Sequence, residues 1–387
     1  MKLKSAKSGL FIFLLLLISL PLLQHNLNFI ESGKLKIFTP RQDVQFTIEK
    51  WWNGTYEQQK SEFLNDSFGF RPDFVRVNNQ LDLWLFKKLY IPNFEVIVGK
   101  DNYLFQQIYI DEYNGVDFIG DDVIANEFWK LKRIQDTLEK LGKTLVFTYG
   151  SAKPYYFPEK IPSELLRKGG PHKTNYRSCV RIGDSLKLNQ IDFAGWLLAT
   201  NNSDKNSIIG KRGSHWTPYA SLLAADSLIK YLERLRHITM PEIKITSVHR
   251  TDSERFNDEN FSLNSDLVFP IKKEKQACAD FHYVFRDSAK KPKIIYIGDS
   301  FINFWLGNQL MATTNSYWEY WFYFDKVWTE KTFSGVEKVQ TVHEKDWIKS
   351  ITDADCVVIL WTSFNLWSIK RDDFYIEGLY HHFYPGK

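Results

Sequence analysis

The sequence runs to 387 residues, 44% apolar and 25% charged, which allows a large buried core and argues against disordered, collagen-like and multi-span membrane classes. Its formal net charge of +4 includes the lysines of the amino-terminal tail, so nothing marks a nucleic-acid surface. Three cysteines stand at no metal-ligand spacing, so neither a zinc site nor a disulfide framework is expected, and no cofactor is indicated. Cys356 lies in an apolar run and reads as packing, which leaves Cys179 with Cys278 as the one pairing open in an oxidising compartment. Aromatic content is high at 16%; flat rings suit both a packed core and a sugar-binding cleft, and core packing is the first expectation.

Lys2, Lys4 and Lys7 precede an apolar run from Leu10 to Leu23, the layout of a secretion signal or a signal anchor. Either way the remainder is exported. Fourteen residues cover about 21 Å against about 30 Å of hydrocarbon, so a span needs flanking residues as well, which speaks for a cleaved signal. Gln24, His25 and Asn26 follow the run where a small-x-small cleavage site would stand, and this favours an uncleaved anchor over residues 1–30. The expected location is therefore the inner membrane, single-pass, with the main domain in the periplasm or another extracytoplasmic space.

Residues 31–90 read as a helical neck packed on the main domain, with aromatic and aliphatic residues such as Trp51, Phe63, Phe70, Phe74 and Leu81 at helical spacing. From residue 91 to 387 short apolar runs alternate with helices. The runs are Val96–Val98, Thr144–Tyr149, Lys293–Ile297 and Cys356–Leu360, which suit a parallel sheet covered on both faces. The helices predicted between them are Val123–Leu141, stopped by Gly142, then Pro218–Leu235 and Phe301–Ala312. This alternation predicts an α/β fold in three layers. Asn201–Ser207 and Thr251–Asp266 read as surface loops.

In Lys293–Phe301 a buried strand runs into Gly298-Asp299-Ser300 and then a predicted helix, placing Ser300 at a carboxyl strand end. Open α/β sheets hold ligands there, and a helix amino terminus offers N–H groups to an oxyanion. The alternative is that Asp299 or Ser300 caps the helix, as both residue types favour. A serine nucleophile needs a base. His215, in Arg212-Gly213-Ser214-His215-Trp216-Thr217-Pro218, is the candidate among nine histidines, because it stands in a loop just before a helix whose first residue is Pro218. A histidine so placed can equally be an ordinary packing residue.

Four ordered segments, Leu64–Arg71, Val96–Phe105, Ser214–Thr217 and Gly298–Phe301, with Lys153–Pro158 as a weaker fifth, resemble the AlgX/AlgJ family of alginate O-acetyltransferases and their SGNH-hydrolase-like relatives. The resemblance implies a three-layer SGNH-hydrolase-like (flavodoxin-like) parallel sheet. It implies further an extracytoplasmic O-acetyltransferase acting on exopolysaccharide hydroxyls through catalytic Ser300 and His215, without metal, beside a membrane-bound O-acyltransferase partner. With no carbohydrate-binding module after the last strand, the layout is closer to AlgJ than to AlgX. A carbohydrate esterase would use the same residues with water as acceptor. The family's histidine motif reads Asp-x-His-Trp, and this chain has Gly213 at the aspartate position. Three readings follow: another group orients His215, with Asp192 and Asp204 as candidates; a slow Ser-His dyad operates; or the domain is a non-catalytic scaffold or polysaccharide-binding subunit of an acetylation complex. Asp299 is expected to serve the turn itself.

Overall fold

The structure, a computed structural model, describes residues 2–91, 94–150, 152–169, 172–200, 202–253, 261, 264–371 and 375–386. The chain forms two compact units, Met1–Val98 with Phe261–Lys272, and Gly99–Asn260 with Lys273–Lys387.

The first unit begins with α1 (Lys2–Leu27), which contains Pro21 and a stretch, Lys7–Leu27, long and apolar enough to cross a membrane. Three helices follow: α2 (Ile48–Trp52), α3 (Thr55–Ser67) and α4 (Arg71–Phe86). Thr47 caps α2 through the Lys50 amide, and Pro72 stands in the first turn of α4, where its missing N–H costs no helical bond. An antiparallel pair, β1 (Lys88–Ile91) and β2 (Phe94–Val98), closes the segment. Val96–Val98 is therefore a strand, but it pairs antiparallel with its sequence neighbour rather than joining a parallel sheet. The connection is too short for the crossover that a parallel pair requires. The second segment is held to α4 by polar side chains: Asn79 donates to the carbonyl oxygens of Ser265 and Asp266 at 3.0 and 3.2 Å, and Gln80 accepts from the Phe269 amide at 3.0 Å.

In chain order the second unit contains β3 (Leu104–Gln106), α5 (Gln107–Tyr113), α6 (Asp121–Lys140), β4 (Thr144–Gly150), α7 (Lys153–Tyr156), α8 (Asn175–Ser185), β5 (Gln190–Asp192), α9 (Phe193–Thr200) and α10 (Pro218–Arg236). Next come the antiparallel ribbon β6 (Glu242–Thr251) and β7 (Gln276–Val284), then β8 (Lys293–Gly298), β9 (Tyr317–Phe322), β10 (Lys326–Trp328), β11 (Gln340–Thr341) and β12 (Cys356–Thr362). Seven strands make one sheet in the order β11-β10-β9-β8-β12-β4-β5, parallel from β9 to β5 with β10 and β11 antiparallel at one edge. Helices cover both faces, giving the three-layer SGNH-like α/β arrangement. The apolar stripe of α6, Ile124, Phe128, Leu131, Ile134 and Leu138, is fully buried. Each such side chain contributes roughly 1.5–3 kcal/mol by leaving water. Gly142, at φ +70°, ends the helix as its position predicts.

Burial of aromatic rings absorbs much of the aromatic excess: Trp216, Trp305, Trp321 and Trp361 are all fully buried. All three cysteines are buried and free, so the Cys179–Cys278 pairing is not formed; Cys179 belongs to α8 within the core, Cys278 to the β6–β7 ribbon. Burial pushes the Cys278 thiol up to about 11 and the Cys356 thiol to about 12. The continuous helix expected over Phe301–Ala312 is instead a 3-10 turn, Ser300–Ile302, and two short helices, Asn303–Gly307 and Leu310–Thr314. Gln309 between them is left-handed at φ +57°, which breaks the helical run after Gly307. Residues 202–207 form a 3-10 segment, and of the loop expected over Thr251–Asp266, positions 254–260 and 262–263 lie outside the described residues.

Candidate active site

The carboxyl ends of three adjacent parallel strands meet here: Gly298 of β8 lies beside Leu360 of β12, and Thr362 of β12 beside Gly150 of β4. Glycine is required at 298, because a Cβ would fall on the Leu360 carbonyl oxygen and within 2.7 Å of Ile302 Cδ1. The next residue, Asp299, is buried, and its Oδ1 accepts the Phe301 amide at 3.1 Å. Its Oδ2 accepts from the Thr362 amide at 2.7 Å, the Thr362 hydroxyl at 2.6 Å and Asn365 Nδ2 at 2.8 Å. Burial is the largest influence on this carboxyl and pushes its pKa up, against the pull of those donors. Asp299 therefore takes the capping role, as expected, and Ser300 points elsewhere.

Ser300 Oγ lies 2.7 Å from His215 Nε2, across 85 positions of sequence. The histidine is placed by its neighbours. Thr217 caps α10 by accepting the Ala220 amide at 3.1 Å, and Pro218 occupies the first turn. Trp216 is buried and donates through Nε1 to the Phe301 carbonyl oxygen at 3.1 Å, fastening the histidine loop to the serine turn. The imidazole packs near the rings of Phe301 and Phe304, at 5.1 and 6.1 Å between centroids. Beneath it Trp216 and Trp305 approach to 5.6 Å, and Trp305 donates to the Ser221 carbonyl oxygen at 2.9 Å. Both sequence candidates thus come together at the strand ends.

On the far side of the imidazole, Nδ1 lies 3.2 Å from the Ser214 hydroxyl. A hydroxyl that accepts Nδ1–H favours the tautomer with a lone pair on Nε2, the form that can take a proton from Ser300. A carboxylate would impose that tautomer; a hydroxyl can also donate, so its preference is weaker. Among the described hydrogen bonds neither candidate aspartate meets His215. Asp192 accepts from the Tyr176 hydroxyl at 2.8 Å and the Gly195 amide at 3.0 Å, while Asp204 pairs with Arg250 at 2.7 Å.

Near Ser300 the Phe301 amide donates to Asp299 Oδ1 at 3.1 Å and the Ile302 amide to the Asp299 carbonyl oxygen at 3.2 Å. A further polar group faces the serine. The Tyr323 hydroxyl lies near Ser300 and Asn365; burial, ahead of the nearby Asp299 charge, pushes the phenol up to about 12 against the pull of those two side chains. Tyr323 and Phe324 are both left-handed, at φ +52° and +54°, and the Tyr323 amide donates to the Gly298 carbonyl oxygen at 2.8 Å. Such conformations are uncommon for bulky residues and persist where surrounding structure holds them. Tyr323, Thr362 and Asn365 went unremarked in the sequence. Thr362-Ser363 follows the apolar run at 356–360, so the rule that strand ends build sites was the signal available for that pair.

A second buried carboxyl lies behind the strand ends. Glu112 on α5 accepts from the Tyr155 hydroxyl at 2.6 Å and the Ser363 hydroxyl at 3.0 Å, and Ser363 Oγ in turn accepts the Ala152 amide at 3.4 Å. Burial pushes the Glu112 pKa up to about 8.

Residues 96–304 match the family described as ALGX, SGNH hydrolase-like domain, acetyltransferase AlgX. A comparison with curated protein sequences gives no match. Among solved structures, the chain is similar to the O-acetyltransferase domain of Pseudomonas putida AlgJ (16% identity, TM-score 0.46, covering 74% of this chain and 99% of that one). It is similar also to Pseudomonas aeruginosa AlgX (14%, TM-score 0.46, covering 74% and 67%). A third, Bacillus cereus PatB1, shares 10% identity with a TM-score of 0.43, covering 71% and 97%.

Proposed function

Because the chain belongs to the AlgX family of SGNH hydrolase-like acetyltransferase domains, we propose that it is a membrane-tethered, extracytoplasmic O-acetyltransferase that moves acetyl groups to exopolysaccharide hydroxyls through Ser300. The observation that carries this reading is the 2.7 Å contact of His215 Nε2 with Ser300 Oγ at the strand ends. His215 takes the hydroxyl proton as Ser300 attacks the acetyl carbonyl carbon. The Tyr323 hydroxyl donates to the developing oxyanion. Collapse expels the donor oxygen with that proton and leaves acetyl-Ser300. A sugar hydroxyl then attacks, His215 accepts its proton, and the proton returns to Ser300 Oγ as the sugar ester departs. The acetyl donor would reach the site from a membrane-bound O-acyltransferase partner, with α1 as the membrane anchor.

A chromogenic acetyl ester supplied to the purified protein tests the chemistry. Ser300→Ala and His215→Ala each lower turnover by on the order of 10³-fold or more; turnover unchanged in Ser300→Ala refutes the mechanism. A water acceptor in place of sugar makes the same site an esterase, and sugar acetylation measured beside hydrolysis separates the two. One observation favours a second reading: Gly213 stands where the family motif has aspartate. On that reading the protein is a scaffold or polysaccharide-binding subunit. Polymer acetylation that survives Ser300→Ala but is lost when the protein is removed selects it.

A further inference from the structure

The first unit carries a cluster of phenylalanines at the exit of α1. Phe29 meets Phe70 at 5.9 Å between ring centroids, Phe70 meets Phe74 at 6.5 Å, and Phe74 meets Phe68 at 6.2 Å. Three of these rings are half exposed, Phe29 at 52%, Phe68 at 49% and Phe74 at 53%; Ile30, next to Phe29, and Leu64, one helical turn before Phe68, are exposed to 50% and 51%. A contiguous apolar surface of this kind on a water-facing unit marks a contact site.

What covers it follows from α1. The stretch Lys7–Leu27 holds 21 residues, or about 31 Å of helix, against about 30 Å of hydrocarbon. A span therefore uses the whole stretch, last turns included. Those last turns are packed on the α3–α4 junction. A Cβ on Gly69 would fall on the Pro21 carbonyl oxygen and 2.9 Å from the His25 amide nitrogen, so only glycine permits the approach. His25 Nδ1 contacts the Ser67 carbonyl oxygen at 2.7 Å, and Gln24, itself buried, accepts the Ile30 amide at 3.1 Å. The junction is thus fixed at the depth of Pro21–Leu27, which is the boundary between hydrocarbon and headgroups.

We infer that the phenylalanine face of the α3–α4 junction is seated in the lipid interface of the bilayer that α1 crosses, as a second membrane contact beside the helix. Half-exposed apolar rings are stabilised at that depth as they are on interfacial helices. The inference rests on the anchor reading of α1.

Full-length protein in vesicles of phosphatidylethanolamine and phosphatidylglycerol, spin-labelled at Phe74→Cys or Phe68→Cys, tests it by collision with oxygen and with a water-soluble nickel chelate. Leu14→Cys in α1 and the exposed Val248→Cys serve as references, and the three natural cysteines are buried. Labels at 74 and 68 are expected to show a several-fold higher ratio of oxygen to nickel collisions than the label at 248. Chelate access at 74 and 68 equal to that at 248, with the label at 14 protected, overturns the seating and leaves the anchor standing. Chelate access at 14 as well overturns the anchor, and the seating with it. Protection at 74 and 68 from both probes places protein on the face and overturns the lipid assignment.

Discussion

The indole N–H of Trp216 donates to the carbonyl oxygen of Phe301 at 3.1 Å, so a residue adjoining the histidine is fastened to one adjoining the serine. Removing the donor leaves a buried carbonyl without this partner, at about 1–2 kcal/mol. Trp216→Phe should lower the unfolding free energy by that amount. It should also lower kcat with little change in KM, because the dyad spacing loosens while the substrate surface stays. Denaturant unfolding and ester hydrolysis on one preparation check both.

Tyr323→Phe keeps the ring and removes the hydroxyl. As an oxyanion donor, the phenol contributes on the order of 10²-fold or more to kcat. With its pKa raised to about 12, it stays protonated and donating through the working range. The loss should therefore be the same at pH 6 and pH 9, and pH-rate profiles of the two proteins should run parallel.

Ser214→Ala takes away the hydroxyl 3.2 Å from His215 Nδ1. A neutral hydrogen bond of about 1 kcal/mol corresponds to about fivefold in rate. A loss near that size is expected, far below the ten-thousand-fold cost known for removing a triad carboxylate in a serine protease.

Glu112 gives a pH-dependent stability of definite sign. Its folded pKa, raised by burial from 4.5 to about 8, lies above the unfolded value, so the folded state binds the proton more tightly. The stability due to this group is fully present below the unfolded pKa and falls as pH rises from about 4.5 to about 8, by a few kcal/mol. Glu112→Gln should flatten that slope, with the variant gaining on the parent protein as pH rises. Chemical denaturation between those limits is the measurement.

Sequence pattern carried the parallel core because β4, β8 and β12 are continuous apolar runs, buried on both faces, and such runs need no partner to be recognised. Periodicity likewise placed α6 and α10 to within two residues at each end. Val96–Val98 was misplaced for the same reason: three apolar residues look alike in parallel and antiparallel settings. The break after Gly307 depends on a left-handed Gln309, which its residue type does not announce. At the site, Ser300 and His215 stood in legible short motifs. Tyr323 did not, because its position depends on a left-handed backbone beyond β9 and on contacts across the strand ends. Asp299, expected from its position to serve the turn, is held there by its bonds to Thr362 and Asn365.

The place of β12 in the sheet also governs when the molecule can fold. It is the last of the sheet strands in chain order, yet it lies between β8 and β4, which precede it by some 60 and 210 positions. A nascent chain emerging amino end first therefore holds β4 and β8 with their shared edge unfilled until residues near 360 arrive. Pairings so distant in sequence are slow to form, and unfilled strand edges invite association with other chains. Release of the chain before residues near 360 are made would leave a sticky intermediate with that edge open.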